Sequence, residues 1–180
     1  LSATDLQAIC SFYKYRKIRK REYFVRQGEV CRFEGFVVKG CFKISTTDIQ
    51  GKEKILNFSE EGWWLMEISS FMNTTASEFN IQALEDSEIL FINKTDKENL
   101  YRENPLAERL FRLLSQTALV AWQRRMVRDH TMNAEQRYHH FITTYPNIAR
   151  RVTNKHIANY LGITQESVSK IRKKWALEGN

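Results

Sequence analysis

Gln165, Glu166, Ser169, Lys170 and Lys173 carry the clearest chemistry in this sequence. Their types suit the edges of nucleobases, since Gln pairs with adenine, Glu accepts from the cytosine amino group, and Lys donates to guanine. They sit in residues 152–175, where the periodicity predicts a short helix, a tight turn and a second helix. Ala158 is small enough to let the helices cross closely. Gly162, four residues on, fits the left-handed conformation that a residue without Cβ adopts cheaply. Val168 and Ile171 then fall three apart on the buried side of the second helix. This is the spacing of a helix-turn-helix. With those two inward, the five polar residues face out. Arg172 and Lys174 are long enough to reach phosphates, and Thr164 and Ser167, with the helix N-terminal amides, can hold one. Thr153 and Thr164 each precede a helical run that they can cap. Thr153 and Asn154, opening the first helix, complete the expected DNA-contact set. A packed helix pair with a solvated charged face is the plainer alternative.

The elements that must position this face begin with the composition. A chain of 180 residues, 42% hydrophobic and 27% charged, allows one large or two modest domains with a real core. The net charge of +7 is unevenly spread. Residues 1–27 carry seven Lys/Arg against two acids, residues 28–120 ten against fifteen, and residues 121–180 eleven against four. An acidic middle followed by a basic end predicts a sensing part and a part that meets a polyanion. The apolar runs are too short for a membrane span and no signal peptide opens the sequence, so a cytoplasmic protein is expected. The first residue is Leu1, not Met, which predicts further natural residues ahead of it. Cys10, Cys31 and Cys41 are too few and too widely spaced for a disulfide framework, a zinc knuckle or an iron–sulfur cluster, and are expected to be free thiols.

In chain order, residues 5–15 predict a short amphipathic helix, followed by a basic run over 14–21. From Glu22 the period becomes two: Tyr23 and Val25 lead to a Gly28-Glu29 turn, then Phe36, Val38, Phe42 and Ile44 alternate with Val37, Lys39, Cys41 and Lys43. A turn at 48–51 and a strand at 55–58 predict a hairpin, with further strands at 79–84 and 88–93. Such a series predicts a β-roll or jelly roll. Thr95 with Glu98 has capping-box spacing. Pro105 opens a longer helix whose stripe, Leu106, Leu110, Leu113, Leu114, Ala118, Ala121 and Trp122, suits burial on the roll and on a second copy. Leu110, Leu113, Leu114, Thr117, Ala118 and Ala121 form the expected dimer interface. Asn133 and Gln136 open another helix with Tyr138, Phe141, Ile142 and Tyr145 inside, which Pro146 ends. The expected architecture is α+β: a sensor β-roll over 1–104, a dimerisation helix over 105–130, and a winged-helix-like helix-turn-helix domain over 131–180, with little room for a wing beyond the second helix.

This order of parts resembles the Crp/Fnr family of bacterial transcription regulators over nearly the whole chain. Gly28-Glu29 and Gly35 to Gly40 resemble the first signature of its nucleotide domain. Residues 64–68 (WLMEI) and 77–83 (SEFNIQA) fall at the second. The ending IANYLGITQESVSKIRKKW is similar to that of the Bacteroidetes branch. The resemblance implies a cytoplasmic homodimer that binds a palindromic operator on double-stranded DNA and can contact RNA polymerase. It also exposes departures. Nucleotide-binding members carry a Gly-Glu pair and, ten residues after the Glu, an Arg that holds the cyclic phosphate. Here Glu67 is kept, Met66 stands at the Gly position, Ser77 at the Arg position, and the acid Glu78 follows. Losing the guanidinium removes a bidentate, charge-assisted contact, and a carboxylate nearby opposes an anion. Cyclic AMP is therefore not expected. No cofactor or metal is implied; the barrel is expected to hold either a less anionic ligand, in a pocket lined by Trp64, Glu67, Ser77 and Phe79, or none. At the family's DNA-reading positions stand Gln165, Glu166 and Lys170; the first and third are Arg in well-known members, so a different operator is expected. Lys170 would act as a point charge without Arg's planar fork.

An enzyme is not expected. His139 and His140 are adjacent and face apart on a helix, and no HExxH, CxxC, P-loop or nucleophile-elbow pattern is present. The remaining alternatives are a redox- or haem/metal-responsive regulator using the cysteines, and a basic RNA- or protein-binding module without sequence-specific DNA recognition.

Overall fold

The computed structural model describes residues 2–177, with side chains described as far as Trp175. Helix α1 (Ala3–Ser11) is opened by a capping box between Ser2 and Asp5. It stops four residues short of the expected end, because Tyr15 and most of the basic run belong to strand β1 (Lys14–Ile18). Strands β2 (Tyr23–Val25), β3 (Phe33–Lys39), β4 (Phe42–Thr47), β5 (Glu53–Ser59) and β6 (Trp64–Leu65) follow, then helix α2 (Ile68–Asn73) and strands β7 (Asn80–Ala83) and β8 (Ser87–Asn93). Two four-stranded sheets result, ordered β1-β8-β3-β6 and β2-β7-β4-β5, with antiparallel pairing throughout.

The alternation resolves in detail once the two sheets face each other. Ile18, Val25, Val37, Phe42, Leu65, Ile81 and Ile89 fill the space between them. Val38 points away and is exposed. A register shift between Val37 and Lys39 in the pairing with β8 marks the irregularity after Val37. Gly40 then turns the chain at φ +115°, where a Cβ would meet the Ser87 hydroxyl at 2.0 Å; only glycine fits that crossing.

Helix α3 (Lys94–Glu103) is capped by Asn93, whose side chain accepts from the Asp96 amide. The hydroxyl expected at Thr95 is not the cap, since α3 has already begun at Lys94. Pro105 is the first residue of α4 (Pro105–Thr131), 27 residues long. Its N-terminal part closes a second core with α1 and α3: Ile9, Ile92, Leu100, Ala107 and Phe111, with Trp64 against them. Helices α5 (Ala134–Thr144), α6 (Pro146–Arg151), α7 (Asn154–Leu161) and α8 (Gln165–Leu177) follow. Asn133 and Gln136 form the capping box expected for α5, and Pro146 both ends α5 and opens α6.

The third core joins the two halves of the chain. Cys41, Ile55 and Phe58 from the roll pack with Tyr138, Phe141, Ile148, Ile157, Ala158, Leu161 and Val168. Phe58, Phe141 and Tyr160 form a triangle of rings, with the Phe58 centroid 6.1 and 5.4 Å from the other two and those 5.1 Å apart. Polar contacts reinforce this seam. The Asn159 amide donates to Glu53 O and accepts from Ile55 N, so it pairs with β5 as another strand would. Arg151 meets Glu61 twice, at 2.7 and 2.8 Å, and also Glu85. The helical unit is thus seated on the outer face of the sheet containing β5.

Candidate nucleic-acid interface

Helices α7 and α8 take the geometry that the spacing predicts. Thr153 caps α7 by accepting from the His156 amide, and Gly162 closes it at φ 66°. Thr164 accepts from the Ser167 amide at 3.1 Å, opening α8. Ala158 and Val168 are buried at the crossing, 4% and 0% exposed, which fixes the rotation of α8. Gln165, Glu166, Lys170, Arg172 and Lys173 are exposed as a result, while Ser167, Ser169 and Ile171 are half-buried.

Two local contacts organise this surface. The Glu166 carboxyl is held below its usual range by a hydrogen bond from its own backbone amide, then by the Thr164 hydroxyl. It is therefore an anion at the positive end of α8, available only as an acceptor. Arg172 donates to the Asn154 side chain at 2.7 Å, linking the start of α7 to the middle of α8. That pairing was not legible from spacing alone. It leaves Asn154 with its amide protons to offer, while Arg172 keeps further N–H groups for an anion.

Two residues of the expected small-molecule pocket, Glu67 and Ser77, bond within the chain. Glu67 is 5% exposed and caps α2, accepting from the Ser69 and Ser70 amides at 3.0 and 2.9 Å. Ser77 donates to Phe79 O and accepts from Phe79 N. Phe79 is half-buried beside it. Trp64 is directed elsewhere: neighbouring residues of a strand face opposite ways, and with Leu65 between the sheets its ring lies 4.9 Å from that of Phe111 in the second core.

Beyond Phe111, α4 stands largely free. Leu113, Leu114, Val120 and Val127 are 47, 37, 42 and 60% exposed, and Thr117, Ala118 and Ala121 are exposed with them, while Leu110 is half-buried. Leu106, Leu113, Val120 and Val127 recur every seven residues, with Leu110 and Thr117 between, so one side of the helix carries a continuous seam. Ala118 lies at the margin of that seam. Val120 and Val127 extend it beyond the residues that the shorter stripe suggests.

The cysteines are free, with Cys10 exposed and the other two buried. Burial pushes the Cys31 thiol up and the Cys41 thiol up to about 12, so both are protonated at neutral pH. Among the described residues no group of His, Cys, Asp and Glu is placed to hold a metal ion. No helix among them is long and apolar enough to cross a membrane.

With this geometry in place, the comparisons with known proteins are specific. The cyclic nucleotide-binding domain family matches residues 15–104, half of the chain, and the chain belongs to that family. The fold is shared with FixK2 from Bradyrhizobium japonicum at a TM-score of 0.81 and 18% identity, over 93% of this chain and 86% of that one. It is also shared with the c-di-GMP-responsive global regulator CLP of Xanthomonas campestris, at a TM-score of 0.72 and 17% identity, over 99% and 93% of the two chains. The sensor domain of the transcriptional regulator DNR from Pseudomonas aeruginosa is 26% identical over 69% of this chain and 81% of its own, at a TM-score of 0.55. No curated protein matches the chain in sequence.

Proposed function

We propose that the chain is a sequence-specific, DNA-binding transcriptional regulator of the Crp/Fnr type that acts as a homodimer. The observation that carries this reading is the surface of α8. Its inner side is sealed by Val168, and its outer side presents Gln165, Glu166, Lys170 and Lys173 to solvent with Thr153 and Asn154 alongside. A helix so held can enter the major groove and read base edges, with Thr164 and Ser167 at its N-terminus on a phosphate. The strong basic excess of residues 121–180 supports it. So does the fold shared with CLP, a global regulator.

The seam on α4 supports pairing of two chains, with residues 1–104 as sensor, 105–130 as dimerisation helix and 131–180 as DNA-reading unit. Two α8 helices would then face half-sites one DNA turn apart, roughly 34 Å. Regulation, by an effector or by contact with RNA polymerase, would shift the balance between two orientations of these helices. Cyclic AMP does not fit as effector: no guanidinium stands at Ser77, and the α2 amides are already bound by Glu67. A thiol-based redox sensor gains no support from two buried, protonated cysteines.

The test is selection of bound duplexes from a random pool at two salt concentrations. The expected result is one palindrome with half-sites a turn apart, bound more weakly at high salt. Binding without sequence preference at either salt would refute the reading.

A further inference from the structure

We propose that the cleft where the long helix meets the DNA-facing helices is a binding site for a compact inorganic oxyanion of the phosphate class. The cleft is lined from α4 by Arg125, Arg128 and Asp129, and from α5 and α7 by Arg137, His140 and Tyr160. Its cavity of about 20 Å³ takes one water-sized atom. That suits one oxygen of a tetrahedral ion, with its other oxygens at the mouth.

The charges around the cleft are unbalanced. Arg125 is engaged: it donates to Leu56 O, sits 3.5 Å from Asp129, and stacks 4.3 Å above the Tyr160 ring. The Arg137 Nε is buried with no hydrogen-bond partner. Three guanidiniums thus line the cleft with one carboxylate among them. Burial, followed by the Arg128 and His139 charges, pushes the His140 imidazole below its usual range. An oxyanion with one oxygen in the recess offers these guanidiniums acceptors in the bidentate geometry they favour. The site is a recess between helices that takes one atom, which fits a small free ion better than a polymer backbone.

The cleft spans the joint at Met132 and Asn133 between α4 and α5. An ion held there would tie the dimer helix to the helices that meet DNA. This last consequence rests on the function proposed above, whereas binding of the ion does not.

The experiment uses the full chain without DNA, titrated with sodium phosphate against sodium chloride at fixed ionic strength, by calorimetry and thermal melting. Saturable binding of one ion per chain is expected, with a rise in Tm of roughly 5 °C near saturation. Arg137→Gln and Arg128→Gln should each weaken phosphate by roughly tenfold or more. Arg150→Gln, whose guanidinium bonds Asn147 on α6, should leave it unchanged. Melting in chloride identifies any variant that fails to fold, and Arg137→Lys, which keeps the charge, should retain part of the binding. Absence of a saturable phosphate effect overturns the proposal, as does an equal effect of phosphate on Arg137→Gln and Arg150→Gln. A third arm measures affinity for a selected duplex. If Arg137→Gln lowers that affinity and its salt dependence while free phosphate does not bind, the arginines contact the DNA backbone and the proposal fails. If phosphate binds but no duplex is selected, the ion site stands and the DNA reading fails.

Discussion

Replacing Arg151 with Met keeps the length of the side chain and removes the cation that fastens the helical unit to the roll. In the native chain its guanidinium makes two hydrogen bonds to Glu61, two to Glu85, and lies 3.7 Å from Glu60. The Arg151 hydrogen bonds, with help from the Gly40 amide and against the effect of burial, hold the Glu61 carboxyl down to about 2. The side chains of Glu61 and Glu85 are 42 and 39% exposed, so solvent screening removes much of what such a shift would be worth in a sealed site. We assign the network about 1–2 kcal/mol, more than a single surface pair because one guanidinium serves several carboxylates. For a chain of this size the loss lowers Tm by roughly 2–8 °C. The pH dependence follows from the sign of the shift. A carboxyl depressed in the folded state contributes stability that is complete above its unfolded value near 4.5 and is lost as pH falls towards about 2. The difference in Tm between native and Arg151→Met proteins should therefore be full at neutral pH and shrink across that acid window. Thermal melts at about pH 7, about 5 and about 3 measure it. A difference below roughly 1 °C at neutral pH, or one that does not narrow in acid, would refute the argument that this ion pair fastens the two halves.

Four further outcomes are expected. Lys170→Ala should relax base preference at one position in each half-site; an equal loss on all sequences in the same binding assay would make Lys170 a phosphate contact. If two chains pair through the α4 seam as proposed, Val120→Asp, which places a carboxylate at its centre, should weaken that pairing by roughly a hundredfold or more, read by sedimentation equilibrium; an unchanged mass would refute pairing through this seam. Gly162→Ala meets no neighbouring atom within 4 Å, so its cost is backbone strain alone at φ 66°, about 1 kcal/mol and roughly 2–4 °C in Tm by calorimetry. Cyclic AMP should give no binding heat with the native chain, and a saturable signal would show that Glu67 leaves the α2 amides to accommodate it.

Much of the α7–α8 unit was legible because its determinants are local. Thr153, Ala158, Gly162, Thr164 and Val168 lie within sixteen residues of one another, and caps, a left-handed turn and helical period are short-range effects that residue type decides. The same holds for Asn133 with Gln136 and for Pro105. The sequence alone therefore determined where these helices start, stop and turn, which side of α8 is polar, and that the strands before them alternate.

The tertiary structure decided what those elements meet. Glu67 could equally have faced a ribose; its role as the α2 cap follows from the path of the chain after β6. Tyr15 has residues on both sides that suit a helix, yet pairing with Leu90 on β8 draws it into a strand. Trp64 and Leu65 are adjacent apolar residues, and only the placement of the sheets shows which one lies between them. Arg151 is 66 residues from Glu85 and 90 from Glu61, separations at which spacing carries no information about contact. Local backbone preferences act over one or two turns, whereas charge pairing, burial and the exposure of the α4 seam depend on surfaces brought together only when the chain has closed on itself.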